Sequence, residues 1–385
     1  MSRSDMADHS ILSPSSSARW LSCPASALLE AQEPQEDTYY TAEGTLAHAM
    51  AAMILKANLD IDTTPEQNEL ERLTAYLTDE MPDYVQTYTN YVFEAFENAR
   101  KTTSDARLLV EQRVDLSFIT PELYGTTDAI IIADGTMTVI DFKYGKGYKV
   151  NAKGNSQMMI YATGALDRFS VDYDIHTVRM VIVQPRCENL SVYEVSTDYL
   201  HEWMYYVLTP GVALAMSGEG DQIPGEWCRF CKVKGKCRAM MSKATTLMAR
   251  FKSPQLITPE EFGGEVLAVI PIIKEWVSAA EQTALDYAMR GKEIPGYTLT
   301  RSKGRRVITD ADGLARWLSE RGYEESKYMK PRELVSLSEI EKMVGKKQFK
   351  EDCAQYLTMS EGKPRLATAD EVKDIYNPIN DFENL

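Results

Sequence analysis

Asp141 and Lys143 stand two residues apart in the stretch VIDFKYGKG, and Asp128 heads the apolar run DAIIIA just upstream. Residues two apart on a strand share a face. The two apolar runs are split by Asp134-Gly135, a strong signal for a β-hairpin. That hairpin would set Asp128 on the strand beside Asp141. Two carboxylates and an ammonium at one end of a sheet are suited to Mg²⁺ or Mn²⁺, which prefer oxygen ligands. The lysine could orient or activate a water, or stabilise charge on a pentavalent phosphate. This is the equipment of metal-assisted phosphodiester hydrolysis. The ordinary alternative is an exposed ion pair at a strand end.

Further chemistry-bearing residues flank the hairpin. His48 lies in AEGTLAHAM, one turn after Glu43-Gly44 on an expected helix. It could be a ligand, or an ordinary helix histidine. Glu43 reads as a first-turn acid favoured by the helix dipole, and Gly44 suggests close backbone packing. Gln157 and Tyr161 are four apart in NSQMMIYATGAL, so they share a helix face that could lean over the active end of the sheet. Packing or capping would explain them equally well.

The cysteines form a second constellation. Cys228, Cys231 and Cys237 give the spacing C-x2-C-x5-C. Three thiolates so close can grip one soft metal centre, and Cys23 in RWLSCPAS is the best candidate for a fourth ligand. Four cysteines suit zinc or an iron–sulfur cluster. A link to Cys23 would staple the first helix to a distant segment and couple metal binding to folding. Cys187 and Cys353 lack metal spacing and read as ordinary thiols.

These residues need a scaffold. A helix is expected from about Ala18 to Gln32, capped by one of Ser15, Ser16 or Ser17. The helix over residues 42–57 carries Leu46, Met50, Met53 and Ile54 on one face. One or two helices cover 66–100, broken near Pro82, with Tyr84, Tyr88, Tyr91 and Val92 as core. Strands then read over LLVEQRVDLSF and the hairpin, a helix over Asn155–Leu166, and strands over VRMVIVQPR and NLSVYEV. A helix over 198–217 leads to the cysteines. The fold class expected is α/β, with a mixed central sheet flanked by helices. After about residue 250 come a long helix near 258–291, a strand at YTLTRS, the basic patch Arg301–Arg306 and short helices. KPRLATADEVKDIYNPINDFENL reads as a loose tail.

Composition narrows the class. The chain has 385 residues, 44% hydrophobic and 26% charged, enough for two or three domains of an ordinary globular protein. No apolar run approaches the roughly 18 residues that span a membrane. The N-terminus lacks a signal-peptide shape, so a cytoplasmic location is expected. The net charge of −15 argues against a surface that binds nucleic acid everywhere. The charge is uneven, however. Residues 228–252 carry eight Lys or Arg and no acid, and residues 142–153 carry Lys143, Lys146, Lys149 and Lys153, again with no acid. Such patches could line a channel for a polyanion. Neither a helicase motif nor a Walker A loop is present.

The ordered set resembles the PD-(D/E)XK nuclease superfamily, and within it the RecB-type nucleases that carry a 4Fe–4S cluster, such as the AddB nuclease domain and the CRISPR-adaptation nucleases. It runs Cys23, His48, Gly125-Thr126-Thr127-Asp128, Asp141-Phe142-Lys143, Gln157 to Tyr161, then Cys228, Cys231 and Cys237. Each motif alone is weak; their order over about residues 10–245 is specific. The stretches AEGTLAH, VIDFKYGKG and IVQPR also resemble a phage- and prophage-encoded family described only as a domain of unknown function.

The resemblance implies that His48, Asp128 and Asp141 hold Mg²⁺ or Mn²⁺, with a carbonyl lent by Phe142. It implies that Lys143 positions the attacking water, and that Gln157 and Tyr161 shape the site or contact DNA. Many family members carry Glu where Asp141 stands, and Glu111 is an uncertain extra acid. A 4Fe–4S cluster on Cys23, Cys228, Cys231 and Cys237 is implied, with Zn²⁺ as the alternative. The expected organisation is a flexible lead (1–19), a nuclease domain (20–245), an accessory region (250–370) whose Arg301–Arg306 patch could bind DNA, and a tail (371–385). The expected activity is a metal-dependent deoxyribonuclease, an exonuclease serving phage recombination or DNA processing in a bacterial host. Its expected partners are DNA and a phage single-strand-binding or annealing protein or helicase. The rival is a catalytically silent DNA-binding or scaffold subunit.

Overall fold

A computed structural model describes residues 10–34, 38–250, 267–304, 306–330, 333–359 and 364–368. The chain divides into two compact units, Met1–Glu275 and Trp276–Leu385.

The first unit is built on a five-stranded sheet in the order β1-β2-β3-β4-β5: β1 Arg107–Asp115, β2 Tyr124–Ala133, β3 Thr136–Phe142, β4 Thr177–Gln184 and β5 Asn189–Ser196. The β3–β4 pair is parallel and the other three are antiparallel. A parallel pair needs a crossover, and helix α6 (Ser156–Phe169) supplies it. Asp134 and Gly135 both take positive φ, 37° and 73°, with Ala133 opposite Thr136. This is the tight hairpin expected of Asp-Gly.

Side chains alternate across the sheet. Ile131, Ile140, Phe142 and Val181 face a core shared with α3 (Tyr39–Ala57) and α5 (Met81–Thr102). Ile130, Val139, Met180 and Ile182 face a core shared with α6 and α7 (Thr197–Trp203). The mixed α/β architecture, with a mixed sheet flanked by helices, is therefore as expected.

Helix α3 is capped by Thr38, whose side chain accepts from Thr41 N. Its inward side is formed by Leu46, Ala47, Ala51, Ala52 and Leu55. The expected stripe of Met50, Met53 and Ile54 is only half-buried. Alanines at the contact let the helix axis sit close to the sheet, which brings His48 within reach of β2. Gly44 is not a packing glycine, because a Cβ there would meet nothing within 4 Å. The break near Pro82 is present: α4 (Thr64–Leu73) gives way to α5, with Pro82 in its first turn, where a missing N–H costs nothing.

Several expectations are corrected. The helix drawn over Ala18–Gln32 is two helices, α1 Ser17–Ser22 and α2 Ser26–Ala31, separated at Cys23-Pro24. Proline both disfavours helix in the residue before it and removes an N–H. Nor are residues 10–19 a loose lead. Leu12 is fully buried with Trp20, Leu116 and Ile160, its N–H bonds Glu122 O at 3.1 Å, and Trp20 Nε1 donates to Ser13 O at 3.1 Å. The helix over 198–217 is interrupted by a π turn at Met204–Leu208 before α8 (Thr209–Ser217). Pro210 cannot supply the N–H that a regular helix would donate to the residue four before it.

The second unit contains helices Ala311–Glu320 and Leu337–Val344 around a core with Leu314, Leu318, Ile340 and Phe349. The long helix is seen over Leu267–Met289; its expected start at 258 lies outside the described residues, as do residues 1–9 and 369–385. Pro364–Thr368, expected in the tail, pairs antiparallel with Tyr297–Arg301. Among the described residues no helix is long and apolar enough to cross a membrane.

Leu12→Ala is expected to cost about 2–5 kcal/mol, read as a lower denaturant midpoint. An unchanged midpoint would mean that this segment is the loose lead its composition suggests.

Candidate active site

The site forms where two strands part. Pairing between β2 and β3 ends at Ala129 and Ile140. Beyond that point β2 stays with β1 as far as Tyr124, and β3 stays with β4 as far as Phe142. The Asp128 carboxylate fills the fork. Its Oδ2 accepts the Phe142 N–H at 2.6 Å, replacing the backbone carbonyl that the ladder has lost. Its Oδ1 lies 3.0 Å from His48 Nδ1 on α3. The His48 ring rests 5.2 Å from the Phe142 ring, which stacks on Tyr88 of α5 at 4.5 Å.

Asp141, 3% exposed, faces the other way, toward α6. Gln157 Nε2 donates to its Oδ1 at 3.2 Å and to Tyr161 Oη at 3.3 Å. Lys143 Nζ donates to Gln157 Oε1 at 2.8 Å and lies 3.1 Å from Asp141 Oδ2. That last contact is an ion pair without hydrogen-bond geometry, so Asp141 Oδ2 is a buried acceptor with no hydrogen bond. Lys143 is fixed from behind by its own N–H, which bonds Val183 O at 2.9 Å. Gly125 explains the glycine three residues before Asp128: a Cβ there would stand 2.9 Å from Pro14 Cγ and 3.0 Å from Tyr161 Cε1.

The six residues expected at the centre thus fall in two hydrogen-bonded sets, His48 with Asp128 and Asp141 with Lys143, Gln157 and Tyr161, joined through the Asp141-Phe142 backbone. Glu111 joins them, lining a small cleft with His48, Tyr88 and Asp128. Its φ of 51° is left-handed, a conformation that costs a non-glycine residue of order 1–3 kcal/mol and clusters at functional sites.

The environments push the ionisable groups apart. Burial opposes charge on Asp128, but the His48 cation and the Phe142 N–H hold its pKa below the usual range. Burial, reinforced by Asp128, raises Asp141 despite Lys143. Burial and then Asp128 lift Glu111 to about 7. Burial works against a charged His48, yet the Asp128 carboxylate outweighs it and raises the imidazole to about 9. Among the described residues, no three His, Cys, Asp or Glu side chains surround one point closely enough to hold an ion as they stand. His48 and Asp128 are spent on each other. The donor set nevertheless suits a hard divalent cation: three carboxyls and one imidazole, with Asp141 Oδ2 ion-paired to Lys143 but accepting no hydrogen bond.

Cys23, Cys228, Cys231 and Cys237 line one small cavity of about 20 Å³. Cys23 ends α1 at the Pro24 break, and the other three lie on short 3₁₀ turns over Glu226–Phe230 and Lys234–Lys236 and at their ends. Backbone N–H groups bond the sulfurs, Ile223 to Cys23 at 3.3 Å and Gly225 to Cys228 at 3.4 Å among them. Burial raises the Cys23 and Cys228 thiols, and burial with Glu30 nearby pushes Cys231 up to about 12. Neutral thiols packed together carry no charge that would force them apart. Glu30 of α2 ties the two segments, accepting from Arg19 Nε and from Lys232 N, both at 2.7 Å.

Two contributors were not legible in the sequence. Glu43 is not merely a first-turn acid: it forms a buried ion pair with Arg186 at 3.3 Å, and the guanidinium lies 4.6 Å from the centre of the Tyr144 ring. Gln184, at the end of β4, accepts from Val150 N at 3.0 Å and donates to Gly145 O at 2.9 Å and Tyr148 O at 3.0 Å. The QPR run held both Gln184 and Arg186, but nothing in the spacing named their partners. Arg306 of the expected C-terminal patch is paired with Glu341 at 2.8 Å, and Arg305 lies outside the described residues.

The chain belongs to the family described as "Protein of unknown function (DUF2800)", whose profile matches residues 9–374. Among solved structures it is similar to the crystal structure of SSO0001, with 15% identity over 58% of this chain and 96% of that one. The TM-score is 0.22.

The His48–Asp128 pair makes stability depend on pH in a defined direction. The folded His48 pKa, about 9, lies above the ordinary 6.5. Its stabilisation is therefore fully present below pH 6.5 and is lost as pH rises through 9. In metal-free buffer, the Tm advantage of the wild type over His48→Asn should be largest near pH 6 and shrink toward pH 9. A constant difference across that range would contradict the pairing.

Proposed function

We propose that the protein is a metal-dependent DNA nuclease with a PD-(D/E)XK-type catalytic core, acting as an exonuclease in phage recombination or DNA processing. The observation that carries this reading is the convergence of His48, Asp128, Asp141, Lys143, Gln157 and Tyr161. They come from α3, β2, the end of β3 and α6, and they gather at a strand fork that holds a buried carboxylate oxygen with no hydrogen bond. A merely structural ion pair at a strand end would not need a glutamine, a tyrosine and a second buried acid around it.

His48, Asp128 and Asp141 would hold Mg²⁺ or Mn²⁺, with Glu111 close by. The cation supplies Lewis acidity toward the phosphodiester and makes water a nucleophile at neutral pH. The chain's own residues do the positioning. Gln157 holds Lys143 through its carbonyl and Asp141 through its amide, so ammonium and carboxylate keep a fixed separation. The Lys143 ammonium faces the place where negative charge would build on phosphate, and orients the attacking water. Tyr161 Oη accepts from Gln157, which leaves its own proton for a phosphate oxygen. Burial raises that phenol far above its ordinary range, so it remains a donor.

The four cysteines would hold a 4Fe–4S cluster. Zinc–sulfur bonds of about 2.3 Å would draw four sulfurs within about 4 Å of one another. Four cysteines around one cavity are a donor set for either group, and Zn²⁺ stays the alternative. The cluster's role in this reading is to lock α1 and α2 to the 222–237 segment. DNA is the substrate, and an annealing protein or a helicase would supply the single strands or free ends that this chain cannot make.

Incubating anaerobically purified protein with end-labelled linear DNA and Mn²⁺ or Mg²⁺ should give degradation. EDTA should abolish it, and Lys143→Ala should reduce it at least about a hundredfold, the scale for losing one electrostatic stabiliser. Broad visible absorption, lost in Cys231→Ser, should accompany the cluster, whereas a zinc protein would be colourless. Folded, coloured protein that cuts nothing with either metal would move the reading to a scaffold subunit.

A further inference from the structure

The loop that follows Lys143 is built to hold its backbone still while presenting its side chains. Gln184, 3% exposed, spends its amide on Gly145 O, Tyr148 O and Val150 N. Asn189 Nδ2 adds a bond to Val150 O at 2.8 Å, and Ser191 Oγ accepts Ala152 N at 2.9 Å. A loop pinned at four successive points over so few residues has little conformational freedom left to lose on binding. Yet its side chains point outward: Lys146 and Lys149 are exposed, and Tyr148 is 54% exposed.

The cysteine segment meets this loop. The Arg229 guanidinium lies 5.6 Å from the Tyr148 ring centre and 5.5 Å from that of Phe230, so it sits between two aromatic rings from different parts of the chain. Phe230 is 61% exposed. A phenylalanine between Cys228 and Cys231, left in water with an arginine against its face, has no packing role. Exposed rings interleaved with cations are what single-stranded polynucleotides bind: bases stack on the rings while the cations follow the phosphates. Duplex DNA keeps its base faces hidden and would use only the cations.

We propose that Tyr148, Arg229 and Phe230, with Lys146 and Lys149, form a stacking platform for single-stranded DNA, which threads the strand from the cysteine segment to Lys143. This deepens the nuclease reading and rests on it for the strand's destination, but the binding itself is separable from cleavage.

The test is fluorescence anisotropy of labelled oligothymidylate and of a labelled duplex, on the full chain without added divalent metal. Tyr148→Leu and Phe230→Leu, which keep apolar bulk, should each weaken single-strand binding about five- to hundredfold and change duplex binding less than about twofold. Tyr148→Trp and Phe230→Tyr should restore wild-type affinity. Unchanged visible absorption checks that the cysteine segment is intact, and Tyr148→Leu, outside that segment, provides an independent arm. No single-strand binding by the wild type would overturn the platform, as would unchanged affinity in both Leu variants or equal losses on single strand and duplex. Ring-dependent binding without metal-dependent cleavage would instead keep the platform and remove the nuclease reading.

Discussion

Two carboxylates buried at the fork between β2 and β3 set the terms for the rest of the first unit. A carboxylate out of water is expensive unless it is paired and hydrogen-bonded. Asp128 is paid for by the Phe142 N–H, freed by the parting strands, and by His48. Asp141 is held by Gln157 and Lys143. Neither acid is fully satisfied from within the sheet. Helix α3 must come close on one face and α6 on the other, which accounts for the alanines along α3 and for Gly125 beneath Tyr161.

The same constraint reaches the N-terminal segment. Pro14 crowds Gly125, Ser17 shares a hydrogen bond with Ser156 at the start of α6, and Leu12 and Trp20 sit in a core with Ile160 of that helix. The residues that seat α6 are thus continuous with the helix that ends at Cys23. Glu30, held by Arg19, then reaches Lys232 between the cysteines. The catalytic candidates and the cysteine cavity share one packed route through α1 and α2.

Much of this was written in local patterns. The Asp-Gly turn, the apolar alternation around it and the helical spacing of Gln157 and Tyr161 depend on neighbours in sequence, and all three stand in the structure. The cysteine spacing pointed to one shared cavity, and Cys23 lines it. The Pro24 break had a local signal, since proline ends helices, but the expected helix ran through it. By contrast, Leu12 could not be told from a solvated residue among serines. Its burial depends on a surface assembled from Leu116, Ile160 and Val212.

Residue types and order alone settle the mixed α/β class, the hairpin, the acids beside a lysine, and the cluster of Cys228, Cys231 and Cys237. Each follows from backbone geometry or side-chain chemistry over a few residues. Which face of α3 turns inward, the exchange of a ladder bond for the Asp128 carboxylate, the left-handed Glu111, the Glu43–Arg186 pair and the pinning of the Lys143 loop by Gln184 required the folded chain. These are agreements between groups up to about 140 residues apart, Glu43 and Arg186 being 143 apart in sequence. Such pairs are selected by the free energy of burying polar groups with partners, and a partner exists only once the elements have packed.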